Sequence, residues 1–524
     1  MRPVRCWWCM AETLSPLIQQ MQRAAFYPHP VRAISLKQTH ISWVILTGDY
    51  AYKVKKPANF GFLDFSTLEK RRTFCYEELR LNQRLAPELY LEVLPIAVNN
   101  QGEYGLGNDG EIVEYAVKMR QFNEQDLWLT CFEQGKLTVQ DLENLGTQIA
   151  QFHQQSPTNE YITSFGSLEM LKRVVDSNYE ATESYTKDWG LAKEFQEIRE
   201  FTDTYLTQHR DWFIERQNLG KIRECHGDLH LGNICFFEGR ACVFDCIEFN
   251  EEFRLTDTVY DVAFLVMDLE FRGRRDLAYA FLNRYLELTG DYLAARLLPF
   301  YCSIRAYIRA KVNSFLASDA GAPASLRESA KTTAIRYYQF AWHYSQWLTP
   351  RLWVMAGLSG AGKSTVARYL SQTYGAIHIR SDAVRKHLAG IDLHEKGGAE
   401  LYTPAMTERT YEELLRVALA LLSEGQSVVL DAKYDRVHLR QEVLKKVENL
   451  TVFVRIIHVQ APVEVLRERL RLRTGDIADA TADLLTQQLQ QWEPFTPAEL
   501  PLVTTVDTTL DSSVWQAQLS GSLT

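Results

Sequence analysis

Two short stretches of this 524-residue chain carry side chains suited to handling phosphate. The first is GLSGAGKST, residues 357–365, which matches G-x-x-x-x-G-K-[ST] and is closed by Thr365. Gly357, Gly360 and Gly362 let the backbone curl until its N–H groups face phosphate oxygens. Lys363 would reach the terminal phosphates and the Ser364 hydroxyl would ligate Mg²⁺. The second is HGDLHLGN, residues 226–233, which spaces His226, Asp228 and Asn233 as H-x-D-x-x-x-x-N. Asp245 follows twelve residues after Asn233, at the end of the apolar run ACVFD. In that order Asp228 would accept or orient a hydroxyl proton, while Asn233 and Asp245 would hold Mg²⁺ against nucleotide phosphates. The competing reading of Asp228 and Asn233 is a turn stabilised by their own side chains. Both stretches imply ATP and Mg²⁺ as cofactors.

Further groups stand where they could join this chemistry. Asp431 ends the apolar strand SVVLD and Asp382 follows the strand AIHIR. Carboxyl ends of strands are where open α/β sheets place their ligands. Either aspartate could instead cap a helix. Arg385 lies one helical turn beyond Asp382. Arg469 and Arg473, four apart in VLRERLRLRTGD, could line one face of a lid over transferred phosphate, or simply a solvated face. Near the start, AYKVKK offers Lys53 as a phosphate-binding lysine, with Lys55 on the same strand face as runner-up. The carboxylate partner is Glu78 or Glu77, which periodicity does not separate. No glycine occurs in LKQTHIS, residues 36–42, so the Thr39 and Ser42 hydroxyls are the candidates to face phosphate there.

The elements that must position these groups differ along the chain. Residues 31–122 hold short runs rich in β-formers (VRAISLKQ, HISWVIL, AYKVKK, EIVEYAVKMRQF) and one helical stretch at 67–86, with Phe74, Leu81 and Leu85 on one side. Residues 123–345 read as mainly helical, broken by a strand–loop–strand block at 222–249 and by a loop at 318–329. From 352 on, five apolar strands (LWVMAG, AIHIRS, SVVLDA, TVFVRIIHV, LVTTVD) alternate with helices, the signature of a parallel sheet covered on both faces.

Composition narrows the partners. Hydrophobic residues make up 46% and charged residues 23%, ordinary for a globular protein. A net charge of −9 disfavours nucleic acid and anionic membranes as main partners. The nine cysteines are odd in number and scattered, which fits reduced thiols in a cytoplasm better than a secreted disulfide framework. No run is long and apolar enough to predict a transmembrane helix. Cys6 and Cys9 form a C-x-x-C with no second ligand pair nearby, residues 1–30 read as a leader, and Met10 is an alternative start.

Residues 352–508 resemble the small P-loop kinases: gluconate-kinase-like, polynucleotide 5′-kinase and zeta-toxin-like enzymes. The shared features are GLSGAGKST, the RSD-x-x-RK segment, the LDA strand end and the arginine-bearing lid. The resemblance implies that Asp382 orients or deprotonates an acceptor hydroxyl and that Arg385 contacts acceptor or phosphate. HGDLHLGN, Asp245 and TDTVYDVAFLVMDLEF, with Asp257 and Asp261 in a D-x-x-x-D start, resemble the aminoglycoside phosphotransferases and their choline, homoserine and fructosamine kinase relatives. That likeness implies that Asp261 buttresses the Asp228 loop. The whole order resembles a bacterial fusion of the two. The expected fold is an α+β, protein-kinase-like front module, with a small β lobe (31–122) and a helical lobe (123–348), followed by an α/β P-loop domain (349–524) built on a five-stranded parallel sheet. The expected function is ATP-dependent phosphate transfer at two nucleotide sites to small-molecule hydroxyls. Its alternatives are a P-loop kinase with a non-catalytic recognition module, and a nucleotide sensor. Neither acceptor nor oligomeric state is defined by these residues.

Overall fold

The computed structural model describes residues 14–61, 63–473, 475, 477–479 and 481–523, so Cys6, Cys9 and Met10 lie outside it. The chain forms two compact units, neither continuous in sequence. One takes the chain up to Leu137, Phe152–Asp268 and Phe300–Ser345. The other takes Thr138–Gln151, Leu269–Pro299 and everything from Gln346.

The first unit carries a six-stranded antiparallel sheet. Its strands are β1 (Ser35–Gln38), β2 (Ser42–Leu46), β3 (Tyr50–Lys55), β4 (Tyr90–Val98), β5 (Tyr104–Leu106) and β6 (Glu111–Arg120), in the order β1-β2-β3-β6-β4-β5. β4 and β5 go beyond the strands read from sequence. Pro95 interrupts the β4 run, and a proline inside a strand pattern argues against a strand. The sheet accommodates it with irregular pairing between Ile96 and Ala97. On one sheet face, Ile45, Tyr52, Val54 and Ile96 pack with Ile18 and Met21 of the helix Pro16–Met21, so part of the expected leader belongs to this core. Against the other side lies the helix Leu68–Asn82, which delivers Glu78.

The helical part of this unit holds two small strand pairs. β7 (Ile222–Glu224) pairs with β10 (Leu255–Asp257), and β8 (Ile234–Phe237) with β9 (Arg240–Val243). They bracket the loop 226–233, and Asp245 lies two residues past the end of β9 at Val243. The helix Thr258–Phe271 is mostly apolar and deeply buried: Val259 and Val262–Met267 are almost wholly enclosed, and so are Asp261 and Asp268. Residues 324–329, expected as loop, are the first turns of the helix Ala324–Tyr344. Pro323 stands just ahead of that helix, where its fixed φ suits a helix start.

The second unit is built on β11 (Arg351–Ala356), β12 (Ala376–Arg380), β13 (Ser427–Asp431), β14 (Phe453–Gln460) and β15 (Val503–Asp507). All pairs are parallel, in the order β12-β13-β11-β14-β15, so the five-stranded parallel sheet is present as expected. Val428, Val429 and Leu430 are fully buried, as strands covered on both faces must be. β12 is an edge strand, and the helix Arg275–Thr289 packs along it. There Asn283 acts as a short stand-in for a sixth strand. Its side-chain amide donates to Ala376 O (3.0 Å), and its side-chain oxygen accepts from His378 N (2.9 Å).

Candidate functional site

In the second unit, β11 runs straight into the loop 357–362 and the helix Lys363–Tyr374. Gly357 has φ +146°, and a Cβ there would stand 2.3 Å from Val459 O, so only glycine fits. Lys363 donates to Leu358 O across the loop (2.9 Å). Burial lowers its pKa, while Asp431 and Asp382 act in the opposite sense. Ser364 and Thr365 occupy the first turn of the helix, whose N-terminal end favours anions. Asp431 is the last residue of β13 and caps no helix. Burial pushes its carboxyl up, but a hydrogen bond from His378 Nε2 (3.0 Å) and the charges of His378, Arg380 and Lys363 outweigh it and bring it to about 2. Asp382 lies in the first turn of the helix Ser381–Ala389, whose N-cap is Arg380, so it is not the cap either. Its charge acts on both Lys363 and Tyr402.

Arg385 is buried. It donates to Leu401 O (2.9 Å) and Thr407 Oγ1 (3.3 Å), stacks over Tyr402, and has an Nε without a hydrogen-bond partner. The expected shared face of Arg469 and Arg473 is not formed. The helix Val463–Leu472 ends before Arg473, whose backbone is extended. The Arg469 guanidinium is already engaged, donating to Thr508 Oγ1 (2.8 Å), Thr508 O (2.9 Å) and Gly360 O (3.4 Å). Thr508 in turn donates to Ala361 O (2.7 Å). Arg469 therefore braces the glycine loop from behind. Gln488 does the same at Ser359, accepting from its N–H and donating to its Oγ (both 3.1 Å).

In the first unit the groups are linked by successive bonds. Asn233 Nδ2 donates to Asp228 Oδ2 (2.8 Å), and Asn233 O accepts from Phe244 N (2.9 Å), next to Asp245. Asp245 Oδ1 lies 2.6 Å from Lys53 Nζ, which lies 2.7 Å from Glu78 Oε1. Glu78 Oε2 pairs with Lys55 (2.6 Å), and Lys55 also meets Glu248. Burial alone would lower Lys53, but Asp245 and Glu78 outweigh it and hold it well above the ordinary value. Glu78, not Glu77, is the enclosed carboxylate; Glu77 faces Arg80 and Arg254. Asp245 sits at φ +63°, a left-handed conformation that costs a non-glycine residue about 1–2 kcal/mol. Donation from its own N–H to Tyr90 OH and from Cys246 N to Asn82 Oδ1 holds it there.

The loop 226–233 is fixed from beneath. Asp261 accepts from the N–H groups of His226 (3.0 Å) and Gly227 (2.9 Å) and from His153. Burial lowers the His226 pKa, and its partners are those of the neutral ring: Nε2–H donates to Phe244 O, and Nδ1 accepts from Asp228 N. Asp257 pairs with Arg216 instead. Burial would raise Asp228, but His230, whose Nε2 lies 3.4 Å from Oδ2, and the Arg309 charge hold it well below the usual carboxylate range. Sequence reasoning did not single out His230, Arg309, Glu248, His378 or Arg380, although His230 lies within HGDLHLGN and Arg380 opens the RSD-x-x-RK segment. In the glycine-free hairpin, Thr39 Oγ1 accepts from Ile41 N and Ser42 N, and Ser42 Oγ is buried without a hydrogen-bond partner.

These two arrangements, an acid-bearing loop facing a buried lysine and a glycine loop on a parallel sheet, define a kinase-type phosphotransferase with a nucleotide-binding P-loop. Residues 62–298 match the model of the Phosphotransferase enzyme family, and residues 352–495 match that of the AAA domain. The chain belongs to the family of two-module proteins that includes the uncharacterized protein Rv2004c of Mycobacterium tuberculosis. The two are 32% identical over 463 residues, 87% of this chain and 90% of the relative. A Mycobacterium bovis protein, Mb2027c, matches to the same extent. Among solved structures, a gluconokinase from Sinorhizobium meliloti 1021 is 21% identical, with 34% of this chain and 93% of that one covered and a TM-score of 0.26. A choline/ethanolamine kinase family protein from Mesorhizobium loti is 10% identical, with 63% and 98% covered and a TM-score of 0.36. Scores this low define no common fold; the strand orders above describe this one.

Proposed function

We propose that the protein holds two separable ATP sites and transfers the γ-phosphate at each to a hydroxyl of a small molecule in the cytoplasm. The observation that carries this is the pairing of Asn233 with Asp228, and of Asn233 O with the backbone next to Asp245, together with the Asp245–Lys53–Glu78 ion pairs, alongside a complete glycine loop elsewhere in the chain. In the front site Asp228 orients the acceptor hydroxyl and takes its proton, and Lys53 binds phosphate. In the P-loop site the loop amides and Lys363 hold the phosphates, Asp382 orients the acceptor, and Arg385 contacts it. Asn233 with Asp245, and Ser364 with Asp431, are oxygen-donor pairs suited to Mg²⁺, which would neutralise phosphate charge. Seven cysteines among the described residues are buried thiols, which supports a reducing compartment. No helix among the described residues is long and apolar enough to cross a membrane.

Calorimetry with a non-hydrolysable ATP analogue and Mg²⁺ should give a stoichiometry near two. Lys363→Ala should leave one site, and Asp245→Asn should weaken the other. One observation favours a second reading, a front module that only recognises substrate: the Thr39 hydroxyl is engaged by its own turn rather than open to phosphate. A wild-type stoichiometry of one, abolished by Lys363→Ala, would select that reading.

A further inference from the structure

Asp431 has a neighbour that the glycine-loop motif does not supply. Arg380 stands directly beside it in the register of β12 and β13, with Nε 3.9 Å from Asp431 Oδ2. An arginine this close to a buried carboxylate would ordinarily take it in a bidentate pair. Here the guanidinium is held elsewhere. Arg380 Nη1 donates to Glu287 Oε1 at 3.2 Å. Glu287 is itself fixed: Arg284 Nη1 donates to its other oxygen (3.0 Å), Arg284 Nε donates to Thr147 Oγ1 (3.0 Å), and the Glu287 carbonyl accepts from His387 (2.8 Å). The side chains of Glu287, Arg380 and Asp431 are almost wholly enclosed, so water screens none of them strongly. The Tyr292 hydroxyl, buried and without a hydrogen-bond partner, has the same three charges as its neighbours. Glu287 and Tyr292 lie within the 62–298 match to the Phosphotransferase enzyme family, outside the AAA match, yet belong to the compact unit of the parallel sheet.

We propose that Glu287 is a positioning residue for the P-loop site. By retaining Arg380, it keeps that cation from closing on Asp431 and leaves a carboxylate oxygen open to Mg²⁺. This rests on reading Asp431 as the metal-side carboxylate. Both protein contacts, from His378 and Arg380, approach Oδ2, which leaves Oδ1 for the metal side. Removing Glu287 takes away one of the contacts that hold the arginine back, so that it can close on Asp431 and make the carboxylate a poorer ligand even though the glycine loop and Lys363 are untouched.

The test uses the full chain carrying Asp245→Asn, which weakens the front site, with a fluorescent ATP analogue kept below the concentration that this site then needs and titrated with Mg²⁺. Glu287→Gln should raise the Mg²⁺ concentration at half-saturation about ten- to a hundredfold, as loss of an outer-shell partner of a metal ligand does. Metal-free binding of the analogue should stay as in the parent, a result that general damage to the fold would not give. Adding Arg380→Met should restore the midpoint, and Arg380→Met alone should leave it at or below the parent value. If Glu287→Gln does not fold, Glu287→Asp should shift the midpoint in the same direction by less. An unchanged midpoint in the glutamate variants, equal losses with and without Mg²⁺, or failure of Arg380→Met to restore would overturn the inference. Asp431→Asn separates the two levels. If it shifts the Mg²⁺ midpoint while the Glu287 variants do not, only the role of Glu287 falls; if it keeps the parent midpoint, the metal role of Asp431 falls and this inference with it.

Discussion

Lys53 and Lys55 stand two residues apart on one strand and share one carboxylate, yet they answer to different neighbours. Lys53 also meets Asp245, whose side chain is 46% exposed, so one end of its pairing opens outward. Lys55 also meets Glu248, and every atom of that pairing is enclosed. The two lysines should therefore fail differently. Lys55→Met leaves Glu248 and half of Glu78 buried without a cation, and should lower unfolding free energy by about 3–5 kcal/mol in urea melts. Lys53→Met should lower stability less and mainly remove nucleotide affinity at the front site. The reverse ranking in paired melts and calorimetry would make Lys55 the phosphate lysine. The sequence put both lysines on one strand face, and the structure agrees. It could not separate Glu77 from Glu78, because adjacent helical residues differ by only 100° and the deciding contact is made across the sheet.

At the scale of elements, the open edge of β12 is met at Ala376 and His378 by one side chain, that of Asn283. Asn283→Ala would leave Ala376 O and His378 N buried and unpaired, at about 1–3 kcal/mol for each group. We expect a lowered melting temperature with the front-site nucleotide affinity retained; an unchanged melting temperature would mean that water replaces the amide. Legibility in sequence followed the same divide. The five parallel strands were readable because strands buried on both faces are written as continuous apolar runs, as in SVVLD. β4 was hidden by Pro95, whose local preference was overridden by the sheet. The turns at 324–329 were read as loop because Ser and Ala beside Pro323 carry no apolar period. The pairing of Asn283 with β12 joins residues far apart in the chain, and no local pattern announces such a contact.

The molecule as a whole does not divide where its motifs do. The glycine loop, Lys363, Asp431 and Asp382 all fall within 349–524, which makes that stretch look self-sufficient. The compact unit around it also includes Thr138–Gln151 and Leu269–Pro299. A fragment of residues 349–524 lacks Asn283, Glu287 and Tyr292. It should melt at lower temperature than the corresponding transition of the full chain and should need more Mg²⁺ to bind an ATP analogue. Equal Mg²⁺ midpoints for fragment and full chain would show that the added segments are dispensable to the site.

That discontinuity also has a consequence for biosynthesis. The helix Arg275–Thr289 leaves the ribosome well before the strand it covers, which begins at Ala376. The interval is about 90 residues, which at about 5–20 residues per second leaves the helix waiting on the order of ten seconds. During that time the face that will meet β12 has no partner, and a chain halted in the interval would present it permanently. Translation speed between these two points, and any chaperone that recognises the waiting helix, would thus set the yield of intact protein without changing a single contact in the finished fold.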